Sequence, residues 1–177
     1  MRPRLFGIAG YKNAGKTTLI VDLVREFVAR GWRVGTVKHA HHDFDIDHPG
    51  KDSQRHRAAG AAEVIVASGR RVAHIQELAG SPEPALDELA GRMTRVDLVL
   101  VEGWKSGVHP RLEVRRSAAP AAAIAGSVAG VLAIVSDTPL PGESLPVLPR
   151  DDVPAIADFI LQSLGLPRKN GDRFIFP

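Results

Sequence analysis

A glycine-rich segment of eight residues constrains the fold of this chain more than any other feature. Residues 10–17 read Gly-Tyr-Lys-Asn-Ala-Gly-Lys-Thr, which matches the pattern G-x-x-x-x-G-K-[ST] at every position. An apolar run over residues 5–9 precedes the segment, and apolar residues at helical spacing follow it. In that setting the backbone N–H groups of the loop and the positive end of the next helix face the same point. The segment therefore predicts a phosphate-binding loop between a strand and a helix.

The residues of this predicted loop have separate tasks on a polyphosphate. The glycines allow the backbone to wrap closely around phosphate oxygens. Lys16 supplies a mobile cation for the β and γ phosphates and is a candidate catalytic residue, while the Thr17 hydroxyl can ligate Mg²⁺. The residues of the loop predicted to bind nucleotide are Gly10, Lys12, Asn13, Ala14, Gly15, Lys16, Thr17 and Thr18.

The rest of the chain alternates between strand-like and helix-like patterns. This alternation predicts an α/β fold with a mostly parallel central sheet and helices on both faces. Helices are predicted from Gly15 to Arg30, over residues 52–59 with Asp52 as the cap, from Ser81-Pro82 onward, and from Asp151-Asp152 to Gly165. Strands are predicted over residues 5–9, 33–38, 63–67, 72–75, 96–101, 112–114, 131–135 and 146–148.

A carboxylate follows the most apolar of these strands. Glu102 comes directly after residues 96–101, at the carboxyl end where parallel sheets bind ligands. A phosphate-binding loop needs such a group from a neighbouring strand to hold its metal, so Glu102 is predicted to bind Mg²⁺ directly or through water, with a surface role as the alternative. Asp97 lies at the opposite end of the same strand and is predicted to be structural.

Residues 38–48 hold four of the seven histidines and three aspartates. Imidazoles and carboxylates at this density could bind Zn²⁺ or Ni²⁺. A second interpretation is a loop beside the phosphates, in which Asp43 or Asp45 orients the attacking water or a metal-bound water and Lys38 touches phosphate. A third is an ordinary solvated loop. The sequence favours the second interpretation, which makes Asp43 and Asp45 candidate catalytic residues.

The sequence indicates a site for the purine base less clearly than it indicates the phosphate site. The guanine-reading pattern Asn-Lys-x-Asp is absent, but Asp137 follows the predicted buried strand 131–135 at the ligand-binding edge. Asp137 could accept hydrogen bonds from guanine N1 and N2, or could belong to a plain turn. The pair Trp104-Lys105, just after Glu102, could contact base, partner or substrate.

Composition excludes several classes of protein. The chain has no cysteine, which excludes disulfide scaffolds, iron–sulfur clusters and thiol catalysis and makes a reducing cytoplasm the expected compartment. A net charge of +3 is weak evidence for nucleic acid and suits a small anionic ligand equally well, so no nucleic-acid partner is predicted. The uncharged stretch over residues 117–136 is long enough for a membrane span but is rich in Ala and Gly, so a loop or small-residue helix before a buried strand is predicted. One domain is expected over residues 1–166, followed by a tail over residues 167–177.

Three stretches of the sequence together resemble a known family. These are GYKNAGKTTL, VKHAHHDFDIDHPGKDSQRHRAAGA and DLVLVEGWK. They resemble the molybdopterin-guanine dinucleotide biosynthesis adapter proteins, and the middle stretch is much more specific than the phosphate-binding loop. The resemblance implies a three-layer P-loop NTPase fold, binding of GTP with Mg²⁺, and at most slow GTP hydrolysis.

The resemblance also implies partners. Members of the family assist the molybdenum cofactor guanylyltransferase that joins GMP to molybdopterin, and molybdopterin itself is a further expected ligand. The wider group contains dimeric proteins, so a homodimer is expected, in which the apolar end Phe174-Ile175-Phe176 docks on its own body or on the second subunit. Many members of the wider group carry Lys directly after the first glycine of the loop, where this chain has Tyr11 followed by Lys12.

Two other functions are weighed against this one. The histidine-rich stretch suits a nickel-insertion GTPase, although a Cys-containing metal site would be expected there and this chain has none. A small-molecule P-loop kinase would need an Arg-rich lid, for which Arg70-Arg71 and Arg115-Arg116 are the paired candidates. A predicted basic helix face at Lys51, Arg55 and Arg57 could meet an acidic partner or could face solvent.

Overall fold

The chain forms strands and helices in the order that the hydrophobic pattern predicts. The computed structural model describes residues 2–40, 44–119 and 123–169. Its strands are β1 (Arg4–Ala9), β2 (Val34–Lys38), β3 (Glu63–Ala67), β4 (Val72–Gln76), β5 (Leu98–Glu102), β6 (Arg111–Arg115), β7 (Val131–Ser136) and β8 (Val147–Pro149). Its helices are α1 (Lys16–Ala29), α2 (Asp52–Ala58), α3 (Leu86–Gly91) and α4 (Val153–Ser163).

Six of the strands form one parallel sheet in the order β2-β5-β1-β6-β7-β8. β1 lies between β5 and β6, so the loop that follows β1 leaves the sheet near its middle. Ile8 of β1 and Lys38 of β2 both pair with Glu102 of β5. These three positions therefore lie at one level, at the carboxyl edge of the sheet.

The two faces of the sheet bury different helices. α1 and α4 pack on one face against residues that include Phe6, Leu100 and Leu112, all without solvent exposure. α3 belongs to a second core cluster on the other face, where it packs with Val99 and Val101 of β5. Because side chains alternate between faces along a strand, both faces of β5 can be apolar and buried. The predicted α/β fold with helices on both faces is confirmed.

Residues 40–85 form a compact unit separate from the one made by residues 1–39 and 86–177. This second unit contains α2 and an antiparallel hairpin of β3 and β4, which pair from Glu63–Gln76 to Ala67–Val72. Both strands are predicted from the sequence, and the structure pairs them with each other as an antiparallel hairpin that is not part of the six-stranded parallel sheet. Only four residues, 68–71, connect Ala67 to Val72, and this connection is too short for the crossover that parallel strands need.

Two local predictions differ from the structure, and a third agrees with it. The helix expected from Ser81-Pro82 begins at Leu86, and Lys51 rather than Asp52 is the N-cap of α2. In the uncharged segment, the described residues 117–119 and 123–130 form turns and loop with a bridge between Ala125 and Val128, which agrees with one of the two predicted alternatives. No helix among the described residues is long and apolar enough to cross a membrane. Residues 170–177, with Phe174-Ile175-Phe176, lie outside the described residues.

An ion pair joins the starts of β2 and β5 at the opposite edge of the sheet. Asp97, just before β5, accepts hydrogen bonds from the Arg33 backbone N at 3.2 Å and from its Nη2 at 2.7 Å. Lys169 Nζ lies 3.3 Å from the same carboxylate. The hydrogen bond from the Arg33 guanidinium lowers the pKa of Asp97 to about 2. The predicted structural role of Asp97 agrees with these contacts.

We expect Asp97→Asn to lower the free energy of unfolding at pH 7 by up to about 1 kcal/mol, because water partly screens the pair. A depressed carboxyl pKa stabilises the folded state above the unfolded pKa near 4, and this contribution disappears as the pH falls towards 2. Urea unfolding at pH 7 and at pH 2.5 should show the difference between variant and wild type shrinking. Glu88→Gln, which removes an exposed ion pair on α3, is the control. An equal difference at both pH values would contradict the ionic explanation.

Candidate functional site

The loop between β1 and α1 has a backbone that few sequences can adopt. Gly10 has φ 147°, and a Cβ there would lie 2.7 Å from the Val114 carbonyl oxygen. Gly15 has φ 92°, and Asn13 has φ 65° in the left-handed region, which Asn tolerates better than most residues. The predicted requirement for glycine at both ends of the loop thus has a structural reason at each end.

The first turn of α1 offers its N–H groups to the loop. The N-cap is Gly15, so no side chain caps the helix, and the first turn contains no acidic residue. The first N–H groups of a helix have no partner within it, and the aligned peptide dipoles give this end a partial positive charge. A helix of 14 residues that begins in this way favours an anion at its start.

Lys16 folds back over the loop. Its Nζ donates hydrogen bonds to the Gly10 carbonyl at 2.9 Å and to the Tyr11 carbonyl at 2.7 Å. Burial lowers the pKa of Lys16, the Glu102 carboxylate raises it, and the charges of Lys105 and Lys38 lower it again. The ammonium group therefore sits in a partly dehydrated place, where an added anion would interact with it strongly.

The Thr17 hydroxyl joins the loop to β5. Its Oγ1 donates a hydrogen bond of 2.7 Å to Glu102 Oε1, and Lys38 Nζ lies 4.0 Å from Glu102 Oε2. The side chain of Glu102 is 12% exposed, whereas that of Lys38 is 65% exposed. The structure thus brings Lys16, Thr17, Lys38 and Glu102 together, as the sequence predicts for a phosphate and metal site.

The chemistry of this group fits a hard divalent cation. Mg²⁺ prefers oxygen ligands and keeps several waters, so one hydroxyl and one carboxylate beside a phosphate are a sufficient protein contribution. Thr17 and Glu102 supply these two oxygens within hydrogen-bonding distance of each other. Among the described residues there is no group of three or more His, Cys, Asp or Glu arranged to hold a metal ion. His41, His42 and Asp43 lie outside the described residues.

A cavity of about 240 Å³ opens beside the loop at the carboxyl ends of β6 and β7. Its walls include Tyr11 and Ala14 of the loop, Arg115 and Ser117 after β6, and Thr138 after β7. A second cavity of about 520 Å³ is lined by residues from Ser136 to Pro141 together with Val147, Pro149 and Asp151. Both lie at the sheet edge where open α/β sheets bind ligands.

Asp137 lines the second of these cavities, but its carboxylate is engaged. Its Oδ1 accepts a hydrogen bond from the Ser117 backbone N at 2.8 Å, and its Oδ2 accepts one from Ser117 Oγ at 3.0 Å. The hydrogen bond from the Ser117 backbone is the main reason that the pKa of Asp137 is lowered. Asp137 is therefore ionised at neutral pH and ties the loop after β6 to the loop after β7.

Asp45 lies in the second compact unit, where it is paired. Its carboxylate accepts hydrogen bonds from Arg57 Nη1 at 2.9 Å and from the Asp47 backbone N at 2.8 Å. These bonds lower the pKa of Asp45, with the Asp47 backbone as the first cause. Asp43, the other predicted catalytic carboxylate of this stretch, lies outside the described residues.

The predicted basic face of α2 is only partly present. Arg57 also donates to Glu77 Oε1 at 2.6 Å, and its side chain is 18% exposed. The carboxylates of Asp45, Asp47 and Glu77 surround Arg57 and neutralise its charge, so we do not expect it to bind an acidic partner. Lys51 is exposed, and Arg55 is 73% exposed beside Asp52. The face therefore consists of two exposed cations rather than the predicted three.

Sequence reasoning missed two buried charges on β6. Arg111 is fully buried, and Glu113 is 1% exposed. Glu113 accepts hydrogen bonds from the backbone N of Ile124 and Ala125, each at 2.8 Å, and pairs with Arg115. Charged residues at every second position of an otherwise apolar strand are the signal that could have found them.

The chain is similar to proteins of one family over most of its length. A sequence model of the family described as molybdopterin guanine dinucleotide synthesis protein B matches residues 5–137. The molybdopterin-guanine dinucleotide biosynthesis adapter protein of Escherichia coli is 39% identical over 172 residues, which cover 94% of this chain and 95% of that protein. The protein of the same name from Haemophilus influenzae is 40% identical over 161 residues, with coverage of 88% and 86%.

Solved structures agree with the sequence relatives. The crystal structure of a molybdopterin-guanine biosynthesis protein B superposes with a TM-score of 0.71 at 30% identity, covering 91% of this chain and 99% of the other. The crystal structure of a MobB protein homolog from Bacillus stearothermophilus gives 0.67 at 28% identity, covering 91% and 97%. The resemblance read from the sequence motifs is confirmed, and the chain belongs to the molybdopterin guanine dinucleotide synthesis protein B family.

Proposed function

We propose that this chain is a GTP-binding adapter that assists the attachment of GMP to molybdopterin. The observation that carries the proposal is the loop over residues 10–17, joined to β5 by the hydrogen bond from Thr17 to Glu102. The names of the relatives supply the biosynthetic context, molybdopterin-guanine dinucleotide formation. The geometry supports a polyphosphate as the ligand, because the loop, the start of α1 and Lys16 all favour binding of phosphate groups.

Each part of the loop binds a different part of the nucleotide in this proposal. The N–H groups at the start of α1 hold phosphate oxygens, and Lys16 exchanges its bonds with the Gly10 and Tyr11 carbonyls for bonds to the β and γ phosphates. Lys12, Asn13, Ala14 and Thr18 complete the cradle, and Lys38 lies next to Glu102 at its rim. Bound Mg²⁺ neutralises phosphate charge, and Thr17 and Glu102 are the residues that hold it.

The base and ribose occupy the cavities beyond the loop in this proposal. The walls contributed by Tyr11 and Ala14 continue directly from the phosphate cradle. Asp137 remains our candidate for guanine recognition, and it must exchange its two bonds from Ser117 for bonds to guanine N1 and N2. The preference for GTP over ATP therefore depends on whether Asp137 makes this exchange, and comparing the affinities for the two nucleotides measures it.

Hydrolysis is secondary in this proposal. A base that orients the attacking water is needed for fast turnover, and the candidates Asp43 and Asp45 come from the histidine-rich stretch. Asp45 is already neutralised by Arg57. We therefore expect at most a slow GTPase, whose output is binding of the molybdenum cofactor guanylyltransferase, and through it molybdopterin, in the cytoplasm.

Calorimetry with GTP, ATP and Ni²⁺ tests the proposal against the two alternatives. Tight binding of GTP with Mg²⁺ and weak binding of Ni²⁺ are expected. Stoichiometric Ni²⁺ bound by the untagged protein would favour metal delivery instead. Phosphate transfer from ATP to a small molecule would favour a kinase.

Lys16→Ala should weaken nucleotide binding by about 2–3 kcal/mol, the scale of a lost charge-assisted interaction in a partly dehydrated place. Titration calorimetry with GTP in the presence of Mg²⁺ measures the loss. Arg25→Ala is the matched control, since Arg25 is a 77% exposed cation on the same helix. An unchanged dissociation constant for Lys16→Ala would remove the loop from the proposed function.

Glu102→Gln should reduce the effect of Mg²⁺ on GTP affinity while leaving binding in EDTA nearly unchanged. The amide keeps the shape of the side chain and can still accept from Thr17, but it loses the negative charge that attracts the cation. Affinities with and without Mg²⁺ are compared for this variant and for Glu88→Gln. Equal losses with and without the metal would show that Glu102 has a structural role.

We also propose that the chain works as a homodimer. The hairpin of β3 and β4 is a two-stranded sheet within the described residues, and a hairpin alone is marginally stable in water. On one face it exposes Ile65 at 65% and Val72 at 67%, and on the other face it exposes Val66 at 49%. An apolar surface next to open strand edges favours pairing with a second copy.

Light scattering at micromolar concentration should give twice the chain mass of 19.0 kDa. Ile65→Lys should raise the dimer dissociation constant by at least about tenfold, because it places a charge in an apolar contact. Val21→Lys, at a 42% exposed position on α1, is the control. A monomeric mass both with and without GTP and Mg²⁺ would refute the dimer without bearing on nucleotide binding.

A further inference from the structure

The only tyrosine of the chain lies in the phosphate-binding loop. Tyr11 is 43% exposed, and its carbonyl accepts hydrogen bonds from Lys16 Nζ at 2.7 Å and from the Ala14 backbone N at 3.2 Å. Both bonds are made within the loop, so the backbone that carries the ring is held in place. Among the described residues, the ring has no aromatic neighbour and its hydroxyl has no hydrogen-bond partner.

The Tyr11 side chain contributes to the wall of the cavity of about 240 Å³ at the carboxyl ends of β6 and β7. A Cβ at Gly10 would lie 2.7 Å from the Val114 carbonyl oxygen, so the start of the loop is packed closely against the end of β6. Val114 also lines this cavity, as do Ala14 of the loop and Leu140 after β7. An exposed aromatic ring therefore faces a cavity that adjoins the phosphate-binding loop.

Several polar groups in the walls of this cavity already have partners. Arg115 donates from Nε and Nη2 to the two carboxylate oxygens of Glu113, each at 3.0 Å, and from Nη1 to Glu143. The backbone N and the hydroxyl of Ser117 both donate to Asp137. A ligand that used these groups would have to break their bonds first, whereas a ligand that stacked on an aromatic ring would break none.

A planar base suits this combination of a free aromatic ring and engaged polar groups. Stacking on an aromatic side chain holds a base whatever its hydrogen-bonding edge, because every base has a π-face. The Lys16 ammonium, which binds phosphate in the proposed function, lies 2.7 Å from the Tyr11 carbonyl. A nucleoside attached to those phosphates therefore starts close to the residue that carries the ring.

We propose that the Tyr11 ring stacks on the base of the bound nucleoside triphosphate and gives the protein affinity for the nucleoside part of its ligand. This inference rests on the proposed function, in which base and ribose occupy the cavities beyond the loop. It assigns two separate tasks. Tyr11 strengthens binding of guanine and adenine nucleotides alike, whereas a preference for guanine comes from Asp137.

The first test compares GTP, ATP and inorganic tripolyphosphate by titration calorimetry, each with Mg²⁺. Tripolyphosphate carries the phosphates without a nucleoside. Tyr11→Ala should weaken binding of GTP and of ATP by about tenfold each and change the affinity for tripolyphosphate by less than about twofold. Val21→Ala, at a 42% exposed apolar position on α1, is the matched control and should leave all three affinities unchanged.

Two further variants distinguish stacking from simple apolar packing. Tyr11→Phe keeps the ring, so its affinity for GTP should stay within about twofold of the wild type. Tyr11→Leu keeps an apolar side chain without a π-face and should bind GTP at least about fivefold more weakly. Equal affinities of these two variants for GTP would overturn stacking. An equal loss for tripolyphosphate would show that Tyr11 shapes the loop instead of contacting the base.

A direct readout of the contact needs no substitution. Because the chain has one tyrosine, labelling with 3-fluorotyrosine gives a single ¹⁹F signal, from Tyr11. The ring current of a stacked base should move this signal upfield when GTP or ATP is added, and tripolyphosphate should move it much less. The same displacement with GTP and with tripolyphosphate would contradict a contact with the base.

The outcomes separate this inference from the proposed function. If the wild-type protein binds neither GTP nor tripolyphosphate, the proposed function and this inference both fail. If it binds both and Tyr11→Ala leaves their affinity ratio unchanged, the role of Tyr11 is refuted while nucleotide binding stands. If Tyr11→Ala does not fold, the ¹⁹F signal of the labelled wild-type protein still decides the claim.

Discussion

The position of β5 between β1 and β2 is the constraint on which the site depends. Parallel pairing places Ile8, Lys38 and Glu102 at one level, so the chain leaves β1 into the phosphate-binding loop beside the carboxylate that ends β5. The hydrogen bond from Thr17 to Glu102 then follows from the register. A shift of one residue along β5 would turn Glu102 to the opposite face and remove it from the hydroxyl.

Two buried charged side chains of β6 hold the backbone of neighbouring loops through hydrogen bonds. On the face opposite α1 and α4, β6 carries Arg111, whose bonds end on carbonyls, and Glu113, whose bonds come from N–H groups. One residue satisfies the acceptors of the loop after β5, and the other satisfies the donors of the loop before β7. Irregular backbone can be buried there because these carbonyl and N–H groups have partners.

The sequence predicts the elements that depend on short-range pattern. The loop over residues 10–17, the strand that ends at Glu102 and the start of α4 all follow from motif, periodicity or capping, and Asp152 does accept from the Ala155 backbone N. The roles of Arg111 and Asp137 depend on partners that are near only after folding. The partner of Asp137 is 20 residues away in the chain, and the choice of Ser117 is not encoded in any local pattern. Pairing of Arg57 with Asp45 and Glu77 was likewise invisible from spacing.

The strand order also has a consequence during synthesis. β1 and β2 are made first, yet in the sheet β1 pairs with β5 and β6, and β2 pairs with β5. Neither early strand can gain a neighbour until residues 98–102 have left the ribosome, and β1 is complete only after Arg115. Apolar residues such as Phe6 and Ile8 must wait unburied over that interval. A chain of this topology needs protection from aggregation while it is translated, most of all when translation pauses before β5.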